Sequence, residues 1–378
     1  METRHFAVAS GLVRPTAITS NRAWIVTAVT ETLVDNTSAW KVVAAYQPGG
    51  GCAVDTQSAP LLTIIQSDTP LLYEEAFPHT LSISSDDVLA VALGVSGVRL
   101  FLLVPPVGTA PMVSLALHTL TRVQGSALSA RFIGPSKGEI PNLVVWTRNS
   151  RDHITVHGDA KNGTVKRVEL LSANGNGVRE FDAHTPGHVA VLSNHEMDLH
   201  ILVRQTTGCF KVSTISLYTL HEPMDSMTLS LTALAIGDEL VVVGFDTKSG
   251  GLVEAFDVEK VEMVTRRTIP GKGASCLATD GPRILVGTSA LSSLNAHLSA
   301  LYAITVDNDA TFVVCPGEAS HPRWCNGTVH VDKASWCYAR TLNHPVNNSP
   351  LVVVDHARVS PVQAQLARAP PVQAQLAR

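Results

Sequence analysis

Two histidine-containing segments are the first places in this sequence where metal chemistry could occur. The earlier one, His195 to His200, also contains Glu196 and Asp198. Zinc proteases of the helical type place two histidines four residues apart, so that both face one ion. Here the spacing is five, which puts the two rings on opposite faces of a strand. We therefore expect a polar turn between two strands and no metal site.

The later segment has the highest density of soft metal ligands in the chain. Thiolates and imidazoles bind zinc, but these residues form no Cys-x-x-Cys pair. Trp324, Trp336 and Tyr338 lie among them, as in an aromatic-lined sheet core. Packing is the predicted role, and a zinc site is the alternative. The six residues are Cys315, His321, Cys325, His330, Cys337 and His344.

No other motif predicts catalysis. The glycine-rich segments 49–51 and 271–273 precede no predicted helix that could bind a phosphate, which indicates turns. No Gly-x-Ser-x-Gly sequence occurs, and the acidic pairs Glu74-Glu75 and Asp86-Asp87 fall in predicted turns. We predict no catalytic, cofactor-binding or metal-binding residue, no cofactor, and no enzymatic activity.

Composition narrows the possible partners. The 378 residues carry a net charge of -4, with 16% charged and 45% hydrophobic residues. This balance predicts a folded protein and no nucleic-acid partner. The longest apolar runs, such as Leu100 to Val107, have the length of strands, so we expect no transmembrane segment. The N-terminus has no secretory pattern, which predicts an intracellular protein, cytoplasmic or nuclear, with free thiols.

The elements that must position these residues are predicted to be strands. Val, Ile, Leu and Thr come in runs of four to eight residues bounded by Gly, Pro, Asn, Asp and Ser. The clearest example is 231–257, which predicts three strands joined by tight turns. Further predicted strands are 23–29, 41–46, 88–93, 98–104, 142–146, 189–192, 199–203, 283–287 and 300–306.

The turns recur about every 45 to 55 residues, the spacing of four-stranded units in a β-propeller. We predict an all-β, seven-bladed β-propeller with antiparallel blades over residues 1–359. Residues near 5–10 are expected to close the ring by pairing with Leu351 to Val354. The predicted units are 5–58, 59–124, 125–176, 177–222, 223–273, 274–320 and 321–359.

Within the fifth unit we expect strands at 228–236, 240–245, 251–257 and 262–269, from the innermost outwards. The sixth unit repeats this rhythm at 274–279, 283–288, 298–307 and 311–315. Proline-bearing segments at 105–111 and 134–141 predict extended loops in the earlier units.

Residues 360–378 depart from this pattern because PVQAQLAR occurs twice, at 361–368 and 371–378. Such a low-complexity tail is predicted to be disordered. A duplication without function and a short binding motif presented twice are both consistent with it.

Two segments carry a resemblance to a known family. Gly251 to Asp257 (GLVEAFD) and Asn326 to Val331 (NGTVHV) resemble the WD40 repeat strand that follows a tight turn. The chain has no Trp-Asp dipeptide, and Gly187-His188 lacks the family's matching partners. The resemblance therefore implies a diverged WD40-like propeller without the hydrogen-bonded tetrad of typical blades. Members of that superfamily are mostly non-catalytic scaffolds that bind peptides or proteins on a face or rim.

Arg266 and Arg267 carry a second resemblance, to phosphoinositide-binding propellers. In those proteins a Gly directly follows the arginine pair, whereas Thr268 stands here. Arg266 and Arg267 are thus candidate lipid or anion ligands, although membrane-surface binding is not the expected function.

The combined prediction is a non-enzymatic scaffold that binds the other proteins of a larger assembly through its propeller face and rim loops. Such a protein should expose an apolar patch too large for a free monomer. The alternatives are a propeller enzyme with its site in the central channel and a phosphoinositide or membrane-surface reader.

Overall fold

The computed structural model describes the protein in segments separated by gaps. These are residues 2–10, 13–21, 23–32, 38–46, 61–67, 78–107, 111–120, 126–134, 142–148, 152–157, 167–172, 177–184, 187–193, 197–207, 209–217, 230–247, 250–269, 272–289, 300–306, 310–316, 328–332, 335–343 and 350–358. Every secondary-structure element in these ranges is a β-strand. The all-β prediction is confirmed.

Neighbouring strands within each sheet run antiparallel. In the first half they are β1 (Glu2–Ser10), β2 (Val13–Ser20), β3 (Trp24–Thr32), β4 (Ser38–Tyr46), β5 (Leu61–Gln66), β6 (Thr80–Ile83), β7 (Val88–Ala92), β8 (Val98–Val104), β9 (Val113–Leu120), β10 (Ser126–Phe132), β11 (Leu143–Arg148), β12 (Asp152–His157), β13 (Arg167–Ser172) and β14 (Val178–His184). In the second half they are β15 (His188–Ser193), β16 (Asp198–Arg204), β17 (Phe210–Ser216), β18 (Ser230–Ile236), β19 (Leu240–Thr247), β20 (Gly250–Asp257), β21 (Met263–Ile269), β22 (Lys272–Asp280), β23 (Arg283–Ser289), β24 (Ala300–Thr305), β25 (Ala310–Pro316), β26 (Thr328–Asp332), β27 (Ser335–Asn343) and β28 (Pro350–Arg358).

In the described ranges these strands form seven four-stranded antiparallel sheets, numbered here in chain order. Sheets 1 to 6 are β2–β5, β6–β9, β10–β13, β14–β17, β18–β21 and β22–β25, and sheet 7 is β26–β28 completed by β1. The first strand of each sheet contacts the first strand of the next, and β26 contacts β2. The sheets thus form a closed ring with β2, β6, β10, β14, β18, β22 and β26 innermost.

Ring closure was predicted correctly. β1 pairs antiparallel with β28, with Phe6 opposite Val354 and Ser10 opposite Leu351. The ring is therefore closed by hydrogen bonds between the two ends of the described chain, so β28 is not left as an open edge.

The predicted boundary between the first two units is wrong. Leu61–Gln66 was assigned to the second unit, but it pairs with β4 as the outer strand of sheet 1, where Leu61 lies opposite Ala45. The first unit was also expected to include residues 5–10, which belong to sheet 7. The error arose because β1 closes the ring in sheet 7, so sheet 1 begins one strand later in the chain, at β2. The spacing between turns does not reveal this shift.

The hydrophobic core lies between successive sheets. β7 illustrates the cause, because all five of its residues are buried. Side chains alternate between the faces of a strand, so Leu89 and Val91 pack against sheet 1 while Val88 and Ala90 pack against sheet 3. A continuous apolar run therefore serves two interfaces at once. Equivalent core clusters join sheets 3 to 4, 4 to 5 and 5 to 6.

Sheet 5 matches the sequence prediction best. Its strands β18, β19, β20 and β21 fall on the four predicted runs within a few residues at each end. The predicted loop at 105–111 is described only in part, and that at 134–141 lies almost wholly outside the described residues. The tail from 360 lies outside them altogether.

Candidate protein-interaction surface

Polar side chains of the innermost strands connect neighbouring sheets. Arg131 Nε of β10 lies 3.0 Å from Asp182 Oδ1 of β14, and Asp182 Oδ2 accepts a hydrogen bond from Ile236 N of β18 at 3.0 Å. The Arg131 guanidinium also donates to the Leu81 carbonyl of β6. These bonds span sheets 2 to 5. The charged groups of Arg131 and Asp182 therefore hold neighbouring sheets together.

A second link joins sheets 3 and 4 around a buried carboxylate. Asp152 accepts hydrogen bonds from Trp146 Nε1 at 3.1 Å, Arg148 Nε at 2.9 Å and Val178 N at 2.7 Å. Arg148 also donates to the Val178 carbonyl at 2.9 Å, and its guanidinium lies over the Trp146 ring. This cluster, which we call the Asp152 clasp, satisfies both carboxylate oxygens with side-chain and backbone donors.

Two histidines of sheet 4 contact the β18–β19 turn of sheet 5. His188 Nδ1 lies 3.0 Å from the Gly237 carbonyl oxygen, and His184 Nε2 lies 3.3 Å from Asp238 Oδ1. Gly187 adopts a φ of 127°, and a Cβ there would lie 2.7 Å from Arg204 Cβ. The Gly187-His188 dipeptide therefore has a local packing role that does not require the family's usual partners.

Glu180 of β14 has a carboxyl group with a raised pKa. Burial raises the pKa of its carboxyl from 4.5 to about 7; nearby Asp182 adds to the rise and Arg179 opposes it. A desolvated carboxyl of this kind is what a general acid requires. In the described parts of the chain, however, no three His, Cys, Asp or Glu residues lie together in a group that could hold a metal ion.

Of the residues considered for metal or phosphate binding, some lie outside the described ranges and others lie on strands. His195 and residues 49–51 are outside them, and His200 Nδ1 contacts Thr214 Oγ1 at 2.9 Å. In sheet 7 the strand register places His330 opposite Cys337 and Cys337 opposite His356. His321, Cys325 and His344 are not described. The turn predicted at 271–273 is wrong for its last two residues, because β22 begins at Lys272.

The candidate anion ligands lie on the outer strand of sheet 5. Arg266 Nε donates to Glu254 Oε1 at 2.6 Å, and Glu254 is fully buried. Arg267 Nη1 lies 3.4 Å from the Arg266 carbonyl oxygen. The Glu254 carboxylate thus neutralises one of the two cations. Anion binding by Arg266 and Arg267 remains a prediction.

Most of the exposed large hydrophobic side chains belong to two neighbouring sheets. In the segments with described side chains, eight large hydrophobic residues are exposed, and five of them belong to sheets 1 and 2 or their turns. We call these five the rim patch. They are Leu61, Val95, Val107, Val113 and Leu115.

Comparison with known proteins relates this geometry to solved structures. No protein-family model and no curated protein sequence matches the chain. Sqt1 of Chaetomium thermophilum, bound to the N-terminus of ribosomal protein L10, is 14% identical with a TM-score of 0.55 over 89% of this chain and 85% of Sqt1. The WD40 domain of Toxoplasma gondii coronin is 14% identical with a TM-score of 0.53 over 96% of this chain and 88% of that domain. The chain has a WD40-like β-propeller fold.

The WD40-like propeller fold by itself leaves the activity open. The polysaccharide lyase Uly1 is 9% identical with a TM-score of 0.57 over 91% of this chain and 90% of the lyase. Binding proteins and an enzyme therefore share this architecture, and function has to be argued from the site. In the described residues of this propeller, no helix is long and apolar enough to span a membrane.

Proposed function

We propose that this WD40-like propeller is a non-enzymatic scaffold that binds the other proteins of a multiprotein assembly through its face and rim. The observation that carries the proposal is the rim patch. An excess of exposed apolar residues on two neighbouring sheets is typical of a surface that a partner covers. The fold also occurs in Sqt1, whose structure contains a segment of a ribosomal protein.

The polar residues that join neighbouring sheets support a binding function over an enzymatic one. Asp182 and Arg131 bind each other and the backbone of neighbouring sheets, and Asp152 has hydrogen-bond donors at both oxygens. Groups held in this way stabilise the ring. The low overall charge is consistent with a protein partner and not with nucleic acid, and an intracellular location, cytoplasmic or nuclear, belongs to the same proposal.

Native mass spectrometry of the tagged full-length chain, isolated from cells under mild conditions, tests this function. We expect a stoichiometric complex with at least one other protein. Leu115→Lys should weaken that complex, because it places a charge in the rim patch. The matched control is Val212→Lys, since Val212 is 50% exposed on the outer strand of sheet 4 and Leu115 is 51% exposed on that of sheet 2. A monodisperse monomer that recovers no stoichiometric partner would contradict the proposal.

A further inference from the structure

A groove on the rim between sheets 1 and 2 adds detail to the proposed scaffold function. A cavity of about 550 Å³ opens there. The described side chains that line it are apolar except for Arg99 and Ser96. The cavity is lined by Ile65 of β5, by Arg99, Leu100 and Phe101 of β8, and by Ala116 and Leu117 of β9. A concave apolar site with few polar groups is the usual form of a binding pocket.

The strand beside this groove has an unprotected edge. β9 pairs with β8 on one side and is last in its sheet, so in the described ranges its other edge pairs with no strand. Its sequence, VSLALHTL, contains no Asp, Glu, Lys or Arg. Val113, Leu115 and Ala116 are exposed. Long apolar edges of this kind accept an additional strand from another chain.

Most of the other outer strands carry the charges or proline that usually prevent such pairing. Outer strands β13, β17 and β21 contain Arg167, Lys211 and Arg266, respectively, and β1 contains Arg4. β25 ends at Pro316. β5 and β9 are the exceptions, and they contact each other beside the cavity.

An irregularity in the β8–β9 pairing opens the groove at this point. Arg99 lies opposite Thr119 and Phe101 lies opposite Ala116, so β9 has two residues facing Leu100 alone. Such bulges bend the strand and redirect its side chains. Here both Ala116 and Leu117 line the cavity, although successive residues of a regular strand point to opposite faces.

Charge specifies the occupant. Arg99 is exposed, and in the described part of the chain its guanidinium has no ion pair or hydrogen bond. Among the described residues, it is the one charged side chain that lines the cavity. In a protein ligand that buries the apolar walls, a carboxylate is the side-chain group that satisfies this cation best. The duplicated tail at 361–378 has two arginines and no acidic residue, so it does not meet this requirement.

We propose that the groove between β5 and β9 binds an extended segment of a partner protein. The segment adds a strand to the free edge of β9, inserts apolar side chains between Ile65 and Leu117, and places an Asp or Glu carboxylate on Arg99. The inference rests on the proposed scaffold function and names the chemistry of its partner.

The test uses fluorescent decapeptides in which Leu, Ile or Val alternates with Ser or Thr and one Asp or Glu occupies each position in turn. We expect fluorescence anisotropy to identify at least one acidic register that binds the full-length chain. Replacing its acid by Gln or Asn should weaken binding about tenfold, the amount typical of one charge-assisted contact. Arg99→Gln should cause the same loss, and Arg99→Glu should transfer the preference to a Lys-bearing peptide.

Two further variants separate the groove from general surface effects. Ala116→Lys fills the mouth of the cavity and should abolish binding, whereas Val212→Lys on sheet 4 should leave it unchanged. All substituted side chains are exposed, so each variant should retain the wild-type melting temperature. Failure of every peptide to bind the wild-type chain overturns the proposal. So does a homodimer that Ala116→Lys dissociates, because a second copy would then occupy the edge.

The same variants distinguish this inference from the scaffold function. If a native complex persists in both Arg99→Gln and Ala116→Lys, the groove assignment is wrong and the scaffold function stands. If the wild-type chain forms no native complex at all, the scaffold function itself fails.

Discussion

At the scale of single residues, the polar groups of this propeller hold neighbouring sheets together. Asp152 joins sheets 3 and 4, and Asp182 joins sheets 3, 4 and 5. Asp182 receives donors that lie 51 and 54 residues away in the chain, and Asp152 receives one that lies 26 residues away. The importance of these residues comes from the closed ring, which brings their partners within hydrogen-bonding distance. Two predictions concern acidic residues and one concerns the arginine pair.

Asp152→Asn should destabilise the protein. The amide lacks the charge that the three donors, Arg148 among them, satisfy, and its NH2 group would face one of those donors. Loss of a buried charge-assisted network costs about 2 to 4 kcal/mol of unfolding free energy. Urea denaturation followed by circular dichroism measures the change. Asp86→Asn on the exposed β6–β7 turn is the control and should have almost no effect. Equal stability of the two variants would contradict a structural role for the clasp.

Glu180→Gln should change how stability depends on pH. The folded protein holds a proton on this carboxyl up to about pH 7, whereas the unfolded chain releases it near pH 4.5. The folded state therefore binds the extra proton between these values, and wild-type stability falls as pH rises from about 4.5 to 7. Removing the acid should eliminate about 1 to 3 kcal/mol of that fall.

Urea denaturation at several pH values between 4.5 and 8 measures this difference, with Glu259→Gln at an exposed turn as the control. Parallel stability curves for wild type and Glu180→Gln across this range would show that the carboxyl is not perturbed.

The arginine pair should not bind anionic membranes. Because buried Glu254 holds the Arg266 guanidinium, a lipid phosphate would have to displace a carboxylate at 2.6 Å. We expect no salt-sensitive flotation with phosphatidylcholine vesicles that contain phosphatidylserine or a phosphoinositide. Binding that requires acidic lipid and is lost in the Arg266→Gln/Arg267→Gln double variant would instead support the phosphoinositide alternative.

At the scale of elements, contacts between adjacent sheets set the limits on side-chain size. Gly244 of β19 faces Ala274 of β22, and a Cβ at Gly244 would lie 2.6 Å from the Ala274 Cβ. Neither atom is at the end of a flexible side chain. The glycine is therefore required by the approach of sheet 6 to sheet 5.

Gly244→Ala should cost about 1 to 3 kcal/mol of unfolding free energy, the usual effect of overpacking a core. The double variant Gly244→Ala/Ala274→Gly exchanges the two side chains and should recover most of the loss. Thermal denaturation of both variants measures this. A double variant no more stable than Gly244→Ala would indicate that the cost has another origin.

Bulges of the innermost strands are a second feature at this scale. The register shifts at the same point of β2, β10, β14 and β18 relative to the following strand. In each case one residue lies outside the regular pairing. Bulges increase local twist and bend a strand, as the innermost strands of a ring require. The repetition indicates a common geometric demand on sheets with little sequence in common.

At the scale of the whole molecule, stability depends on ring closure. β1 is the strand by which the N-terminal end of the described chain completes sheet 7. Without β1, the backbone groups of β28 would be exposed along one edge. The rest of the ring would also lose its circular constraint.

Deletion of residues 2–10 should therefore lower the melting temperature by roughly 5 to 15 °C and promote aggregation through β28. Deletion of residues 361–378 should leave the melting temperature unchanged, because the repeated tail is predicted to be disordered. Differential scanning calorimetry and light scattering provide the two readouts. Equal melting of both deletions would contradict the closure argument.

The fold could be predicted from the sequence because its signals are local. A strand needs a run of β-forming residues and a turn needs Gly, Asn or Asp, and both occur within about ten residues. Sheet 5 was located from 231–257 in this way, and the closing pair of Phe6 and Val354 followed from the requirement that a propeller leave no open edge. The candidate site could not be found from local signals, since Ile65 and Ala116 are separated by many residues along the chain.

The sequence by itself thus determined the all-β class and the repeat, because alternation, turn residues and spacing act over short distances. It determined the closing strand because a propeller leaves no open edge. The tertiary structure alone decided which residues meet across sheets. Arg131 and Asp182 are 51 positions apart, and the ion pair of Arg266 with buried Glu254 is visible only in the structure. The physical reason is that contacts between blades depend on the twist and closure of the ring. The groove beside Arg99 likewise exists only where two sheets with uncharged edges become neighbours.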